Sequence, residues 1–397
     1  MIISRMKFSS FKSMEKVDFQ PGVVNIFVGA NGSGKSNLLE AIGVLSAAAS
    51  GRVDDESLKR RGVRPGLPSL YKCAFPGIKE SSPIEFSAWN EHASYEVSLL
   101  NPIKEPLPEW RYDKENLWED DKIVIDRRQG DRKKYNPEAG LAALSMVELD
   151  AQSPSAKLLK ALRDFAIYSP DTNTLRGISP DLQQRPPIGL AGGQLPIALD
   201  DLLIPGKPEN DSFIEKVRGE ALALIDWAES YSTDAFKKIP VSPGFSLMQK
   251  VIQFEDRFMK RGRNILSGYD ASEGALFVLF HAALAAHPKS PTVCAVDNAD
   301  HALNPRLAKA LLTKVCGWYL DSPRPRQIFL TTHNPQALDG IPLQNDKVRL
   351  FTVSRTESGR TVVNRIELNE KLQTMADKGW TLSRLWVMGH LGGVANV

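Results

Sequence analysis

The pattern of apolar and polar positions near the start of this chain indicates strands. Apolar side chains there alternate with polar ones or form short runs bounded by turn residues. The strands predicted from this pattern cover 2–11, 17–19, 23–28, 83–90 and 94–101. Between them, 35–49 has helical periodicity, whereas proline, glycine and charged residues dominate 51–82 and predict mostly loop. The first part of the chain therefore predicts a sheet with one interposed helix.

The last part of the chain alternates apolar runs of strand length with longer segments of helical period. The strands predicted there cover 292–297, 327–332, 348–354 and 361–368. The predicted helices cover 245–259, 273–287, 305–320 and 370–378, and one more begins at Pro335. Strand–helix alternation of this kind is typical of a mostly parallel sheet with helices on its faces.

The middle of the chain is less regular. Its pattern predicts a short strand and two helices, at 122–128, 153–167 and 211–231. Proline and glycine are dense over 169–208, and a loop of that length is uncommon inside a compact domain. We therefore expect three parts: a first lobe at 1–101, an inserted helical and loop subdomain at 102–250, and a second part of the main fold at 251–397.

A glycine-rich sequence joins the third predicted strand to the helix that follows it. Residues 29–36 read Gly-Ala-Asn-Gly-Ser-Gly-Lys-Ser. Strand, glycine-rich loop and helix is the context of a P-loop, whose backbone N–H groups and helix N-terminus hold phosphate. Lys35 would reach the β- and γ-phosphates, and the Ser36 hydroxyl would bind Mg²⁺. The nucleotide-binding residues predicted here are Asn31, Gly32, Ser33, Gly34, Lys35, Ser36 and Asn37.

Two polar side chains stand at the carboxyl ends of later apolar strands. Asp297 ends the run that begins at Val293, which is where P-loop proteins place a Mg²⁺-binding carboxylate. His333 ends the next strand and would hydrogen-bond the γ-phosphate or the attacking water. The alternatives are an aspartate that caps a turn and a histidine that is only a satisfied polar group. The upstream P-loop favours the functional interpretation of both.

The strongly apolar helix after 272 begins with a second candidate phosphate site. Ser272 is a plausible N-cap, and Gly274 leaves the first N–H groups of the helix accessible. An ordinary helix cap explains the same residues, so this stretch alone leaves both interpretations open.

The composition limits the classes of protein to consider but does not indicate a function. The chain has 397 residues, 42% of them hydrophobic and 24% charged, and a formal net charge of +3. This charge is too small to indicate nucleic-acid binding by itself, so only local clusters could do so, such as Arg60, Arg61 and Arg64 or the basic residues between 127 and 134. Three cysteines without metal-site spacing fit a reducing compartment. We therefore expect a cytoplasmic protein with no membrane insertion.

Together these motifs resemble the ABC-type ATPase heads of the SMC/RecF/OLD group. Residues 25–42 resemble the Walker A region of that group, and 6–13 resemble its first strand. The segment 272–274 resembles its shortened signature motif, 297–305 its Walker B motif and D-loop, and 332–335 its switch-histidine loop. The motifs occur in the expected order, whereas 102–250 matches nothing specific.

The resemblance implies an α/β fold, a P-loop NTPase of the ABC-head type with a mixed sheet flanked by helices and an inserted helical and loop region. It also implies that two heads close around ATP and Mg²⁺, as a homodimer or a higher homo-oligomer. The P-loop of one head would hold the phosphates. Ser272 and the N–H groups around Gly274 of the other head would cap the γ-phosphate. Because no heptad run appears in 102–250, we expect a compact head without coiled-coil arms.

One position departs from the group's pattern. The group places a glutamate directly after the Walker B aspartate as the catalytic base, and this chain has Asn298 there. An amide cannot accept the proton of the attacking water, and general-base catalysis is typically worth about 10²–10⁴-fold. Either Asp300 substitutes or hydrolysis is slow. The candidate catalytic residues are therefore Asn298, Asp300 and His333.

Two functions compete at this point. Segments 168–170 and 385–393 resemble bacterial AAA-family ATPases of anti-phage defence, which implies a sensor or scaffold that controls a separate effector, a nuclease or toxin. The alternative is a RecF-like ATPase that binds DNA directly in repair or recombination. A transporter ATPase fits least, because a full Leu-Ser-Gly-Gly-Gln signature and a Q-loop glutamine are not identifiable.

Overall fold

The computed structural model describes residues 2–79, 82–128, 134–146, 149–203, 211–235 and 250–393. The strands, numbered along the chain, are β1 (Arg5–Phe11), β2 (Met14–Phe19), β3 (Val24–Val28), β4 (Ile84–Trp89), β5 (Ala93–Leu100), β6 (Arg111–Glu119), β7 (Lys122–Arg127), β8 (Ala166–Tyr168), β9 (Ala228–Ala235), β10 (Lys250–Asp256), β11 (Ile265–Ser267), β12 (Val293–Val296), β13 (Gln327–Thr332), β14 (Val348–Arg355) and β15 (Thr361–Ile366).

The helices, numbered in the same way, are α1 (Lys35–Ala49), α2 (Asp55–Lys59), α3 (Pro68–Tyr71), α4 (Leu141–Ser145), α5 (Pro154–Arg163), α6 (Thr172–Leu175), α7 (Leu195–Leu203), α8 (Asp211–Leu224), α9 (Glu273–Ala286), α10 (Pro305–Leu320), α11 (Glu370–Asp377) and α12 (Leu382–Val387). A 3₁₀ helix covers Pro335–Gly340. None of the helices within the described ranges is long and apolar enough to cross a lipid bilayer.

A central mixed sheet has the strand order β15-β14-β3-β13-β12-β8. Strands β14, β3, β13, β12 and β8 run parallel, and β15 is antiparallel to β14. The expected mixed sheet flanked by helices is thus confirmed. Because the carboxyl ends of parallel strands meet at one edge, the segments after β3, β12 and β13 lie side by side there.

Both faces of the central sheet are buried, which explains why its strands are nearly continuous apolar runs. On one face, Phe27 stacks between Phe329 and Phe351, with ring centroids 6.3 Å and 5.1 Å away. On the other face, Ile26 and Leu330 belong to a separate apolar core. Successive residues of a strand point to opposite faces, so a run with no polar position supplies both cores at once.

Different layers cover the two faces. A six-stranded antiparallel sheet, β2-β1-β4-β5-β6-β7, encloses α1 and α5 against the face that carries Phe27. Helices α7, α8, α9 and α10, with the small sheet β11-β10-β9, cover the opposite face. Helix α9 is buried from Ala275 to Ala286, as expected for a helix that is apolar all round.

The predicted helix over 245–259 is wrong where the structure describes it. Residues 245–249 lie outside the described ranges, and 250–256 form strand β10, which pairs with β9 on one side and β11 on the other. Val251, Ile252 and Phe254 are buried in that small sheet. β-Branched and aromatic residues favour strands when a neighbouring strand supplies hydrogen bonds, and local periodicity does not show that neighbour.

Three other predictions needed new boundaries. The predicted helix 211–231 ends at Leu224 and gives way to β9, and the predicted helix 153–167 ends at Arg163, before β8 joins the central sheet. The predicted loop 169–208 contains α6 and α7, and strand β6 was not predicted. The strand pair 83–90 and 94–101 is confirmed as β4 and β5. The division of the chain at 101 and 250 stays a prediction.

Candidate nucleotide site

The glycine-rich loop lies between β3 and α1, at the carboxyl edge of the central sheet. Gly34 caps α1 with φ 114°, and a Cβ there would lie 2.4 Å from the Thr361 hydroxyl oxygen. A Cβ on Gly29 would lie 2.1 Å from the Val353 carbonyl oxygen. Both distances are shorter than any tolerated contact. The loop therefore requires glycine at these two positions, because β14 and β15 pack directly against it.

Lys35 is the first residue of α1, and its side chain folds back over the loop. Its Nζ donates to the carbonyl oxygens of Gly29 and Ala30, at 2.8 Å and 2.9 Å. Burial lowers the pKa of Lys35 to about 8, and the negative charges of Asp297 and Asp300 oppose that shift. The ammonium group is thus held at the loop by weak carbonyl partners, which a phosphate group would replace with charged ones.

The rest of the loop has the features of a phosphate cradle. The Ser33 hydroxyl is buried and has no hydrogen-bond partner among the described residues. Asn31 and Gly32 are exposed, and Ser36 and Asn37 are half-buried in the first turn of α1. The free N–H groups of a helix N-terminus attract anions. These residues therefore suit the phosphates of a nucleoside triphosphate.

Asp297 follows β12 directly, on the strand that neighbours β13. Its backbone N–H donates to the Tyr168 carbonyl oxygen at 2.8 Å, and its carboxylate accepts a 2.5 Å hydrogen bond from the Thr331 hydroxyl. The described residues contain no group of three or more His, Cys, Asp or Glu side chains that could hold a metal ion alone. Mg²⁺ typically takes one or two protein oxygens plus substrate phosphates, so Asp297 and Ser36 fit its donor set.

Asn298 adopts a left-handed backbone conformation, with φ 55°. Asparagine is one of the few residues that adopts this conformation readily. Its N–H donates to the Thr331 hydroxyl oxygen at 2.8 Å, so the same hydroxyl fixes both Asp297 and Asn298. The backbone turn after Walker B is therefore built around an asparagine, and no carboxylate stands in that position.

Asp300 holds the loop that carries His333. Its carboxylate accepts from the Asn334 N–H at 2.7 Å and from the His333 N–H at 3.3 Å. Burial lowers the pKa of His333 and the Lys35 charge lowers it further, while Asp300 and Asp297 oppose the shift. The shift favours the neutral form of His333. Lys35, Asp297, Asp300 and His333 are thus close enough for their charges to act on one another.

Ser272 and Gly274 stand at the other candidate phosphate site, the N-terminus of α9. The exposed Ser272 hydroxyl accepts from the Ala275 N–H and from the Trp227 indole N–H, each at 3.4 Å. A Cβ on Gly274 would lie 2.9 Å from a methyl carbon of Leu307 in α10. No hydrogen bond or ion pair between described residues joins Ser272 or Gly274 to the P-loop, Asp297 or His333.

Sequence patterns missed Arg355, which lies beside the P-loop. Arg355, the last residue of β14, donates from Nε to the Gly32 carbonyl oxygen at 2.8 Å. A cavity of about 550 Å³ opens next to Asn37 and is lined by Lys12, Arg64, Tyr71 and Arg355, among others. Its size and mixed aromatic and cationic lining suit a nucleoside. The available signal was that Arg355 directly follows the predicted strand 348–354.

The end of the described chain also contacts the loop. The Ala30 N–H donates to the Gly393 carbonyl oxygen at 2.9 Å. Gly393 adopts φ 75°, and a Cβ added to it would lie 3.7 Å from the Gly29 Cα. The C-terminal segment after α12 therefore covers the start of the P-loop.

The fold and these candidate residues are those of a P-loop ATPase head of the ABC type. They combine a glycine-rich loop, an aspartate and a histidine at the strand ends of a mixed sheet, and a serine-capped helix N-terminus elsewhere in the head. The chain belongs to the family described as "AAA domain, putative AbiEii toxin, Type IV TA system", whose model matches residues 24–339.

Solved structures support this class through similarity of fold, and sequence relatives support it through identity over short segments. The Smc head bound to the C-winged helix domain of ScpA aligns with 94% of this chain and 99% of that one, with TM-score 0.54 and 14% identity. The Smc head of Pyrococcus furiosus gives a TM-score of 0.52 at 14% identity, over 95% of this chain and 99% of that one.

Sequence relatives are the DNA replication and repair proteins RecF of Heliobacterium modesticaldum and Carboxydothermus hydrogenoformans. The first is 41% identical over 81 residues, and the second is 44% identical over 89 residues. The matches cover 18% and 22% of this chain, and 21% and 25% of the relatives. The chain therefore spans only a small part of the RecF proteins that it matches.

Proposed function

We propose that this chain binds and hydrolyses ATP and that two copies close around the nucleotide. The observation that carries the proposal is that the candidate phosphate-binding groups lie in two separate places on the head. Lys35, Asp297 and His333 lie at the carboxyl edge of the central sheet, whereas no hydrogen bond or ion pair between described residues joins them to Ser272, the N-cap of α9. Ser36 and Asp297 would hold Mg²⁺, which supplies positive charge to the β- and γ-phosphate oxygens when it is bound.

The hydrogen bonds of Ser272 favour a role in trans. Its hydroxyl oxygen accepts from the Ala275 N–H and the Trp227 indole N–H, so its own hydrogen is available to an outside acceptor. A γ-phosphate oxygen bound by the P-loop of a second copy is such an acceptor. Trp227 then acts as a positioning residue, because it fixes the direction in which the hydroxyl donates.

Trans-complementation tests the composite site. Lys35→Ala removes the P-loop cation, and Ser272→Arg blocks the signature, so each variant alone is expected to lose ATP-dependent dimerisation and hydrolysis. A mixture of the two forms heterodimers in which one of the two sites has an intact P-loop and an intact signature. We expect the mixture to regain hydrolysis, measured as phosphate release. A mixture as inactive as the separate variants would contradict the trans arrangement.

The hydrogen bonds around Asp300 support slow hydrolysis. Its carboxylate already accepts the backbone N–H groups of His333 and Asn334, so its contact is with the switch loop. Asn298 in the preceding turn offers only an amide. We therefore propose a long-lived ATP-bound dimer. Turnover at the rate of an efficient ABC ATPase that survives Asp300→Ala would contradict both slow hydrolysis and a base role for Asp300.

The biological role that we propose is a cytoplasmic sensor or scaffold, part of bacterial anti-phage defence, that controls a separate nuclease or toxin. The family description names a toxin of a type IV toxin–antitoxin system, and the Smc head has been seen with a protein partner bound. A pull-down with ATP and with ADP tests the role. A co-encoded nuclease retained only with ATP is the expected result, and retention independent of nucleotide would contradict it.

A RecF-like role in DNA repair is the second candidate, and the identity to RecF proteins over short segments favours it. It predicts duplex DNA binding that ATP stimulates and that falls steeply with salt. Binding measured by fluorescence anisotropy with and without ATP separates the two candidates, because an effector-controlling scaffold does not need ATP-stimulated DNA binding.

A further inference from the structure

The amino edge of the central sheet, opposite the nucleotide site, carries a concave basic surface. Two cavities of about 470 Å³ and about 390 Å³ share Arg185 as a lining residue. We call them together the distal cleft. Their charged lining residues are Arg60, Arg61, Lys160, Arg163, Asp164, Arg185, Lys289, Arg324 and Arg326. Eight of these nine lining side chains are cationic and one, Asp164, is a carboxylate, while Arg60 and Lys289 also have carboxylate neighbours in Glu56 and Asp201.

Three of the guanidinium groups in the distal cleft bind neutral oxygens. Arg185 donates to the carbonyl oxygens of Arg60, Asp164 and Phe165 at 2.6–3.0 Å. Arg326 donates to two carbonyl oxygens at the end of α9, at 2.5 Å and 3.0 Å. Arg61 donates to two serine hydroxyls and to one carbonyl oxygen. These bonds fix the three groups in place but do not neutralise their charge.

Such an arrangement is costly unless an anion completes it. Buried or half-buried charges are normally paired with an opposite charge. Burial lowers the pKa of Arg61 to about 10, and the neighbouring positive charges of Arg185 and Arg163 add to that shift. A neutral oxygen can accept the hydrogen bonds that a guanidinium group donates. Only a negative charge offsets the repulsion between Arg61, Arg163 and Arg185.

Other side chains of the distal cleft are also available. Lys160 and Arg163, on the last turn of α5, form no ion pair with any residue in the described ranges. The Ser290 hydroxyl lines the larger cavity, is buried, and has no hydrogen-bond partner among the described residues. Lys289 lies 3.5 Å from Asp201 and is mostly exposed. The cleft thus combines fixed guanidinium groups with two cationic side chains, Lys160 and Arg163, that form no ion pair with described residues.

The distal cleft is separate from the nucleotide site. Thr292 lines it at the start of β12, and Asp297 follows the other end of that strand. A strand rises about 3.3 Å per residue, so these five steps separate the two positions by about 16 Å. One phosphate group cannot contact both ends of the strand.

We propose that the distal cleft binds the phosphodiester backbone of a nucleic acid, without reading its sequence. Two adjoining basic cavities suit successive phosphates of one strand, and arginine is well suited to phosphate oxygens. None of the residues that line the two cavities is aromatic, so the cleft offers no platform on which a base could stack. The recognition is therefore electrostatic, through phosphate contacts.

The test is a triple variant, Lys160→Gln with Arg163→Gln and Lys289→Gln, which spares the three arginines bound to carbonyls and hydroxyls. Binding of fluorescein-labelled single-stranded and duplex oligonucleotides is measured by anisotropy, without ATP, over a salt series. We expect at least tenfold weaker binding, with a salt slope lower by about one for each charge removed. The matched control removes three exposed lysines elsewhere, Lys16, Lys104 and Lys122, each changed to Gln.

Several outcomes would overturn the proposal. One is a triple variant that binds oligonucleotide as tightly as the control variant, or a wild-type protein that binds neither probe. Another is competition by inorganic phosphate as effective as competition by oligonucleotide at equal phosphate concentration, which would indicate a site for a small anion. The proposal is independent of ATP, so Lys35→Ala is expected to retain this binding. Its loss in that variant would place the nucleic acid at the nucleotide site or the dimer.

Discussion

The two edges of the central sheet treat charge in opposite ways. At the carboxyl edge, Lys35 lies under the influence of two carboxylates, Asp297 and Asp300, so groups of both signs are present. At the amino edge, cationic side chains outnumber carboxylates among the residues that line the distal cleft and their ion-pair partners. At the first edge, groups that now bind the protein would instead bind a nucleotide. The second edge keeps an excess of positive charge.

The difference teaches how a single sheet can serve two kinds of phosphate ligand. The carboxyl edge uses backbone N–H groups, one lysine, and carboxylates that suit Mg²⁺, so it suits a compact triphosphate whose binding can be reversed by hydrolysis. The amino edge uses rigid guanidinium groups tied to carbonyl oxygens, such as Arg185 and Arg326. That edge suits an extended polyanion that is bound but undergoes no reaction.

The largest expected effect separates the two edges directly. Lys35→Ala removes the ammonium group that would bind the β- and γ-phosphates, and charged hydrogen bonds are each worth about 1.5–3 kcal/mol. We expect ATP affinity to fall at least 10³-fold, about 4 kcal/mol, and ATP-dependent assembly to be lost. Calorimetric titration with ATP measures the change. Oligonucleotide binding without ATP is the control, and full biological activity of this variant would overturn the role of the nucleotide edge.

The next largest effect concerns hydrolysis at the carboxyl edge. Asn298→Asp introduces a carboxylate in a residue type that tolerates the left-handed conformation observed there. We expect turnover at saturating ATP to rise about 10²-fold, the lower end of general-base catalysis, because aspartate is shorter than glutamate. Steady-state phosphate release at saturating ATP measures it, with Asn298→Ala as the control. An unchanged rate would show that the missing base does not limit hydrolysis.

A third prediction compares two glycines of the same loop. Both have positive φ, but a Cβ on Gly34 would lie 2.4 Å from the Thr361 hydroxyl oxygen, and a Cβ on Gly32 would meet nothing within 4 Å. We expect Gly34→Ala to lower the free energy of unfolding by about 2–4 kcal/mol and Gly32→Ala by about 1 kcal/mol. Urea denaturation measures both.

The Gly34 clash can be relieved in a double variant. Adding Thr361→Ala to Gly34→Ala removes the hydroxyl and the methyl group in the way, so the double variant should be more stable than the sum of the two single changes predicts. Additive effects would mean that the left-handed conformation alone, and no contact with β15, makes glycine necessary.

The smallest effect is a pH dependence at the carboxyl edge. Lys35 has a pKa of about 8, below its ordinary value, so its charged form is lost as pH rises through 8. We expect ATP affinity to fall about tenfold between about pH 7.5 and about pH 9, since phosphate needs the ammonium form. Lys35→Arg should abolish this dependence because arginine stays charged. A wild-type affinity as flat as that of the arginine variant would contradict it.

The same shift has a defined sign for stability without nucleotide. Because the pKa of Lys35 is lowered on folding, the cost of burying its charge is fully present below about pH 8. That cost is relieved as pH rises toward the ordinary lysine value, since the unfolded chain then binds more protons than the folded one. In this pH window, Lys35 therefore makes folding more favourable as pH rises.

Local patterns predicted much of the carboxyl edge. The helix over 305–320 is confirmed residue for residue as α10, and α1 has the predicted bounds 35–49. Both helices have local boundaries: α1 follows the glycine-rich loop, and in the structure Asn304 caps α10 before Pro305. The small sheet of β9, β10 and β11 was missed, because its strands are specified by each other and not by local periodicity.

The sequence by itself determined the strand, loop and helix of the P-loop, because its glycines, Lys35 and the flanking apolar residues are contiguous and act through local backbone geometry. Only the tertiary structure decided that β15 closes on Gly34 and that Arg355 reaches Gly32, since these contacts join segments more than 300 residues apart. The distal cleft likewise exists only after Arg61, Arg185 and Arg326 converge at the amino edge of the sheet. Long-range packing, which no local pattern encodes, brings their charges together.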